Sequence, residues 1–115
     1  MVQSTGPKKI NCSVFISGKG SNLKSLIKFS NKKNSPISIK LIISDNLNAK
    51  GLRYGKIFKI SNKVFNYKNK IKAQKKITSE IKNKKIQLIC LAGFMRILSK
   101  EFIKFQIKFL ILNKR

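Results

Sequence analysis

A chain of 115 residues has room for one domain, and its 42% hydrophobic and 9% aromatic content, with roughly two-thirds of the unfolded surface buried at this size, excludes disorder over most of its length. The balance of 27 Lys and Arg against 3 Asp and Glu, a formal charge of +24, first suggests a nucleic-acid partner. The bases are nearly all lysine, however, scattered from Lys8 to Lys114 among Asn and Ile, with no RNP-like aromatic motif, zinc-finger spacing or arginine-rich arm, so specific nucleic-acid binding is set aside as the main function.

The opening stretch, residues 1–9 with Gly6 and Pro7, reads as a disordered lead-in and lacks the apolar centre of a signal peptide. No apolar run approaches the roughly 18 residues of a membrane span, which places the chain in the cytoplasm with no membrane partner. Residues 10–115 then form the one domain. Ile10 to Ser17, INCSVFIS, predicts a buried strand that ends at the glycine pair Gly18 and Gly20. Ser21-Asn22 stand at a helix cap, and Leu23, Leu26 and Ile27 follow at amphipathic spacing, predicting a helix to about Asn31.

Ile37 to Ser44, ISIKLIIS, predicts a second strand covered on both faces. Leu52 to Phe58 reads as a short helix and Lys63 to Phe65 as a brief third strand. From Lys68 to Lys84 the pattern is helical, with Ala73, Ile77 and Ile81 four apart on one face. Ile86 to Ala92, IQLICLA, is the most buried-looking strand; Gly93-Phe94-Met95-Arg96-Ile97-Leu98 follows it, and Ser99 caps a helix beginning KEFIK. Ile107 to Leu112 reads as one further strand. Cys12 and Cys90 lie in apolar runs and fit no CxxC or zinc spacing, so both read as reduced core residues, and no metal site is expected.

Strands alternating with helices, without tight hairpin signals, predict an α/β fold with a Rossmann-like parallel sheet. In the common doubly wound order 3-2-1-4, strands one and four are neighbours and the helices after them cover opposite faces, so their carboxyl-end loops flank one crevice. In the first loop, Gly18 to Asn22, glycines let backbone N–H groups approach an anion at a helix start, which makes a phosphate cradle. It is neither a Walker loop nor a full GxGxxG fingerprint, since Leu23 stands where the third glycine would be, and a capped strand-to-helix turn explains the same residues equally well. The apolar loop Phe94 to Leu98 is readable either as core or as the floor of a slot for a flat heteroaromatic ring.

VFISGKGSNLKSLI and LAGFMRILS, at their separation and with AKGL at Ala49 to Leu52 between them, resemble phosphoribosylglycinamide formyltransferase over about residues 10–104. The resemblance implies a transferase of de novo purine (IMP) biosynthesis that moves a formyl group from 10-formyl-tetrahydrofolate to the amine of 5-phosphoribosylglycinamide. It implies that Gly20, Ser21 and Asn22 bind the substrate phosphate and that Met95, Arg96, Ile97 and Leu98 hold the pteridine ring, largely through backbone groups. A folate-binding arginine of the family falls near Lys70. The family's proton-handling Asn, His and Asp lie farther on. Asn113 can be placed on the asparagine, but Lys114 and Arg115 stand where isoleucine and histidine belong, and the sequence has no histidine. The expectation is therefore an incomplete, inactive amino-terminal half with Phe109 to Leu112 as an apolar edge and poor solubility. The competing readings are a basic nucleic-acid-binding module and another folate-dependent formyltransferase or deformylase relative.

Overall fold

The strand Ile10–Ile16 (β1) is buried without a break from Cys12 to Ile16, as an interior strand covered on both faces must be. The structure is a computed structural model and describes residues 9–96, 98–105 and 110–114. The expected lead-in lies, apart from Lys9, outside them. After β1 come α1 (Ser21–Ser30), β2 (Ile37–Ser44), a 3₁₀ turn (Lys50–Leu52) running into α2 (Arg53–Phe58), β3 (Ser61–Val64), α3 (Lys70–Asn83), β4 (Leu88–Ala92), α4 (Lys100–Phe105) and β5 (Leu110–Lys114).

The sheet order is β3-β2-β1-β4-β5, with every pairing parallel. The predicted 3-2-1-4 order is therefore present, with β5 added beside β4. Leu23 and Ile27 of α1 and Tyr54 of α2 pack with Cys12, Val14, Ile16 and Ile42 on one face. Ala73, Ile77 and Ile81 of α3, with Phe102 of α4, pack with Phe15, Leu41, Ile43 and Ile89 on the other. Alternate residues of each strand thus feed two cores, and the helices after β1 and β4 lie on opposite faces. Ser99 caps α4 as expected: its Oγ accepts from Phe102 N at 3.1 Å. Gln74 of α3 ties the two helices together, donating Nε2–H to Ser99 Oγ at 2.9 Å and accepting from Ser99 N at 3.0 Å.

Several boundaries differ from the sequence reading. The helix expected from Leu52 begins as a 3₁₀ turn two residues earlier. The third strand is Ser61–Val64 rather than Lys63 to Phe65, and all four of its residues are exposed, so no apolar alternation marked it. Residues 107–109 of the last predicted strand lie outside the described residues, and β5 begins at Leu110. Cys12 and Cys90 are free thiols on adjacent strands with their sulfurs 3.6 Å apart in the core. The contact with Cys90 and burial both push the Cys12 thiol far up, so it stays protonated.

Candidate functional site

The carboxyl ends of β1, β2 and β4 meet at one crevice. From β1, Ser17 leads into the Gly18–Gly20 turn, where Gly20 has φ +77° and forms the N-cap of α1 with no side-chain cap. The sequence reading gave that role to Ser21 and Asn22; they are instead the first residues of the helix. The backbone has to turn left-handed at Gly20 before the helix begins, and a residue without a side chain does so without strain. First-turn N–H groups of a helix have no intrahelical carbonyl to bond, and the positive end of the helix dipole lies at the same place.

The 3₁₀ turn after β2 packs against this loop. Gly51 N donates to Gly18 O at 2.9 Å, and a Cβ added at Gly20 would lie 2.7 Å from Gly51 Cα. Two backbones crossing this closely require glycine on both sides. Tyr54 lies alongside, its ring within van der Waals reach of a Gly20 Cβ. Arg53 donates to the Tyr54 hydroxyl at 3.1 Å and, with Lys24 and Lys28 nearby, lowers its pKa.

The β4 loop is joined to the other two by a polar network. Met95 N donates to Ser17 Oγ at 2.9 Å, and Ser17 Oγ donates to Asp45 Oδ1 at 2.6 Å. Arg96 Nε donates to Asp45 Oδ2 at 2.7 Å. Asn46 Nδ2 reaches Ser17 O at 3.3 Å. These five residues line an open cleft of about 400 Å³. Behind it, Phe94 stands edge-on to Phe15 and Tyr67 at 5.3 and 5.9 Å, and the Arg96 guanidinium lies 5.6 Å from the centre of the Tyr67 ring. Burial, reinforced by the charge of Asp45, raises the Tyr67 phenol to about 12 against the opposing effect of Arg96. Its hydroxyl has no hydrogen-bond partner among the described residues.

Residues 10–113 match the family described as formyl transferase. The chain belongs to the formyl transferase family. The phosphoribosylglycinamide formyltransferase of Haemophilus influenzae is 35% identical over 98 residues, which is 83% of this chain and 45% of that protein. The human trifunctional purine biosynthetic protein adenosine-3 is 38% identical over 100 residues, 84% of this chain and 10% of that protein. A crystal structure of phosphoribosylglycinamide formyltransferase from Brucella melitensis superposes with a TM-score of 0.85 at 34% identity, covering 92% of this chain and 56% of that one. The chain thus spans about half the length of these two bacterial relatives and a tenth of the human one.

Within this formyl transferase chain, the structure brings Gly20, Ser21 and Asn22 to the start of α1, across Ser17 from Met95 and Arg96. Met95 is 79% exposed and Leu98 is partly buried on the core side of the loop. Ile97 lies outside the described residues. The Met95 N–H is committed to Ser17. Asn113 occupies a position near the carboxyl end of β5, in register with Leu91. Lys70 opens α3 and lines a separate hollow of about 640 Å³ with Gln74, Ser99 and Phe102, not the crevice cleft.

Sequence reasoning missed Ser17, Asp45 and Tyr67. Asp45 is the acid of this cleft. Its position directly after β2, at the same end of the sheet as the loops that follow β1 and β4, was the available signal.

Proposed function

We propose that these 115 residues form the ligand-binding half of a phosphoribosylglycinamide formyltransferase of purine biosynthesis, working in the cytoplasm on small-molecule substrates. The uncapped start of α1 at Gly20, Ser21 and Asn22 takes the phosphate of 5-phosphoribosylglycinamide. The loop Met95, Arg96, Ile97 and Leu98 takes the ring of 10-formyl-tetrahydrofolate, the formyl donor. One observation carries the reading: the Met95 N–H bond to Ser17 Oγ sets the two loops side by side, so a phosphate on one and a ring on the other bring amine and formyl carbon together.

The residues fit such a donor. Phe94 and Tyr67 back the loop with aromatic surface, and the charge of Arg96 is balanced by Asp45, leaving a slot suited to an uncharged ring. Bound there, the folate supplies the formyl carbon. Attack on it by the amine generates an oxyanion and requires the amine to lose a proton. The sequence contains no histidine, and of its 3 acids Asp45 is fully engaged. We therefore expect positioning without turnover from these residues.

The test is a titration with glycinamide ribonucleotide and with tetrahydrofolate, read by amide chemical shifts. The expected result is perturbation of Gly20–Asn22 by the first ligand and of the residues around Met95 by the second. Perturbation of the helix faces by both, with the loops silent, would overturn the reading. A formyl-transfer assay beside a chain extended by an Asn-Ile-His-Pro strand and the later Asp should show background turnover for the 115 residues alone. Comparable turnover by both would mean the catalytic groups are misplaced here.

A further inference from the structure

Asp45 is one of only three acidic residues in the chain, and its side chain is 5% exposed. A carboxylate buried to this degree is tolerated only where its oxygens are paired. Here each oxygen has its own partner: Oδ1 takes the Ser17 hydroxyl at 2.6 Å and Oδ2 takes Arg96 Nε at 2.7 Å. The direction of the first bond is fixed by chemistry, because an ionised carboxylate can only accept. Ser17 must therefore give its single proton to Asp45, which leaves its oxygen lone pairs for the Met95 N–H at 2.9 Å. Polarisation along such a chain strengthens both bonds.

Two consecutive residues of the β4 loop thus depend on one carboxylate, Met95 through Ser17 and Arg96 directly. The Arg96 guanidinium is fixed a second time by the Tyr67 ring at 5.6 Å. The β2 loop that carries Asp45 is itself braced, since Ser44 Oγ accepts from Asn46 N and donates to Asn46 O, both at 3.1 Å. The strut is therefore anchored on the interior strands β1 and β2 and ends on the loop that follows β4.

The geometry points to Asp45 as the positioning residue of the β4 loop, setting the pose of Met95 and Arg96 and through them the affinity for the folate ring. This rests on the folate reading above. Asp45 touches neither ligand in that reading and acts through Ser17 and Arg96.

The test compares the full chain with Asp45→Ala, Asp45→Asn and Ser17→Ala by amide hydrogen exchange, tetrahydrofolate affinity and glycinamide ribonucleotide affinity. In Asp45→Ala, Met95 amide protection and tetrahydrofolate affinity should each fall about tenfold, the order expected for losing charge-assisted hydrogen bonds. Ribonucleotide affinity should stay within about twofold, because the α1 start does not depend on the carboxylate. Asp45→Asn keeps an acceptor for Ser17 and should retain Met95 protection while releasing Arg96, whereas Ser17→Ala should do the reverse. If both affinities fall in parallel, or if Met95 protection and folate affinity are unchanged in Asp45→Ala, the positioning role is wrong. If the unaltered chain binds no folate yet Asp45→Ala still frees the Met95 amide, the loop-setting role stands and the folate reading is what fails.

Discussion

Gly18 and Gly20 look interchangeable in GKG, and the structure separates them. A Cβ at Gly18 would meet nothing within 4 Å, whereas one at Gly20 would lie 2.7 Å from the Gly51 backbone at a φ of +77°. Gly18→Ala should leave stability within about 0.5 kcal/mol of the unaltered chain, and Gly20→Ala should cost about 1–3 kcal/mol and weaken phosphate binding, as denaturant unfolding and titration would show. Equal effects would mean the crossing with Gly51 is not the constraint. The two tyrosines should separate as sharply on optical titration. The Tyr54 phenol is held below its usual value by Arg53, and the Tyr67 phenol is raised to about 12 by burial and Asp45. The folded state holds the Tyr67 proton more tightly than the unfolded chain, whose phenol titrates near 10. Its contribution to stability is therefore complete below pH 10 and lost as pH rises toward about 12. Tyr67→Phe should remove the high-pH step, and Asp45→Asn should move it down. At this scale the Gly18–Gly20 turn was legible because glycine spacing is written locally. The Asp45 network was not, because it joins Ser17, Asp45 and Arg96 across 79 positions of sequence and exists only once three strands are side by side.

The helix α3 shows what periodicity can reveal. Ala73, Ile77 and Ile81 recur every fourth residue, and all three are buried; Ile71, off that stripe, is 69% exposed. Ile77→Ala should cost about 2–5 kcal/mol, by lost burial and the cavity left against Leu41, Ile43 and Ile89, while Ile71→Ala should cost less than about 0.5 kcal/mol. Similar losses at both positions would mean that α3 packs on a different face. The strands β1, β2 and β4 were legible for the same reason, since double coverage demands continuous apolar runs. β2 begins and ends at the expected residues, Ile37 and Ser44. The edge strand β3 was placed only approximately because its four exposed residues, SNKV, owe their conformation to pairing with β2 rather than to burial. The start of α1 was misassigned by one residue for a related reason. Ser-Asn is a good cap in isolation, but the crossing with Gly51 imposes a left-handed residue at Gly20, and a tertiary contact overrides the local preference.

Charge belongs to the whole molecule, and the sequence alone states it: 27 cations face 3 acids. Ion pairs among the described residues include Arg96–Asp45 at 2.7 Å and Lys63–Glu80 at 4.0 Å. The first is nearly enclosed on the acid side and so is weakly screened by salt; the second is long and open, and contributes little. The other lysines mostly repel one another, and folding concentrates them on a smaller surface. Screening therefore removes more repulsion than attraction. Raising sodium chloride from about 0.02 to 0.2 M shortens the Debye length from roughly 20 Å to under 10 Å and should raise Tm, with most of the gain at the low end. The same charge should give weak RNA binding that is indifferent to sequence and falls steeply over that range, because each lysine on a phosphate releases a counterion. Both changes have one origin, so a variant with several scattered Lys→Gln replacements on α3, at Lys72, Lys75 and Lys76, should flatten both salt slopes together. That variant should leave ribonucleotide and folate binding at the strand-end crevice within about twofold, since none of the three residues lines it. A Tm that falls with salt would show that attraction dominates the surface. RNA binding that persists at 0.2 M and discriminates between sequences would show that the lysines are arranged for recognition, and nucleic-acid binding would displace ligand positioning for formyl transfer as the function proposed for these residues.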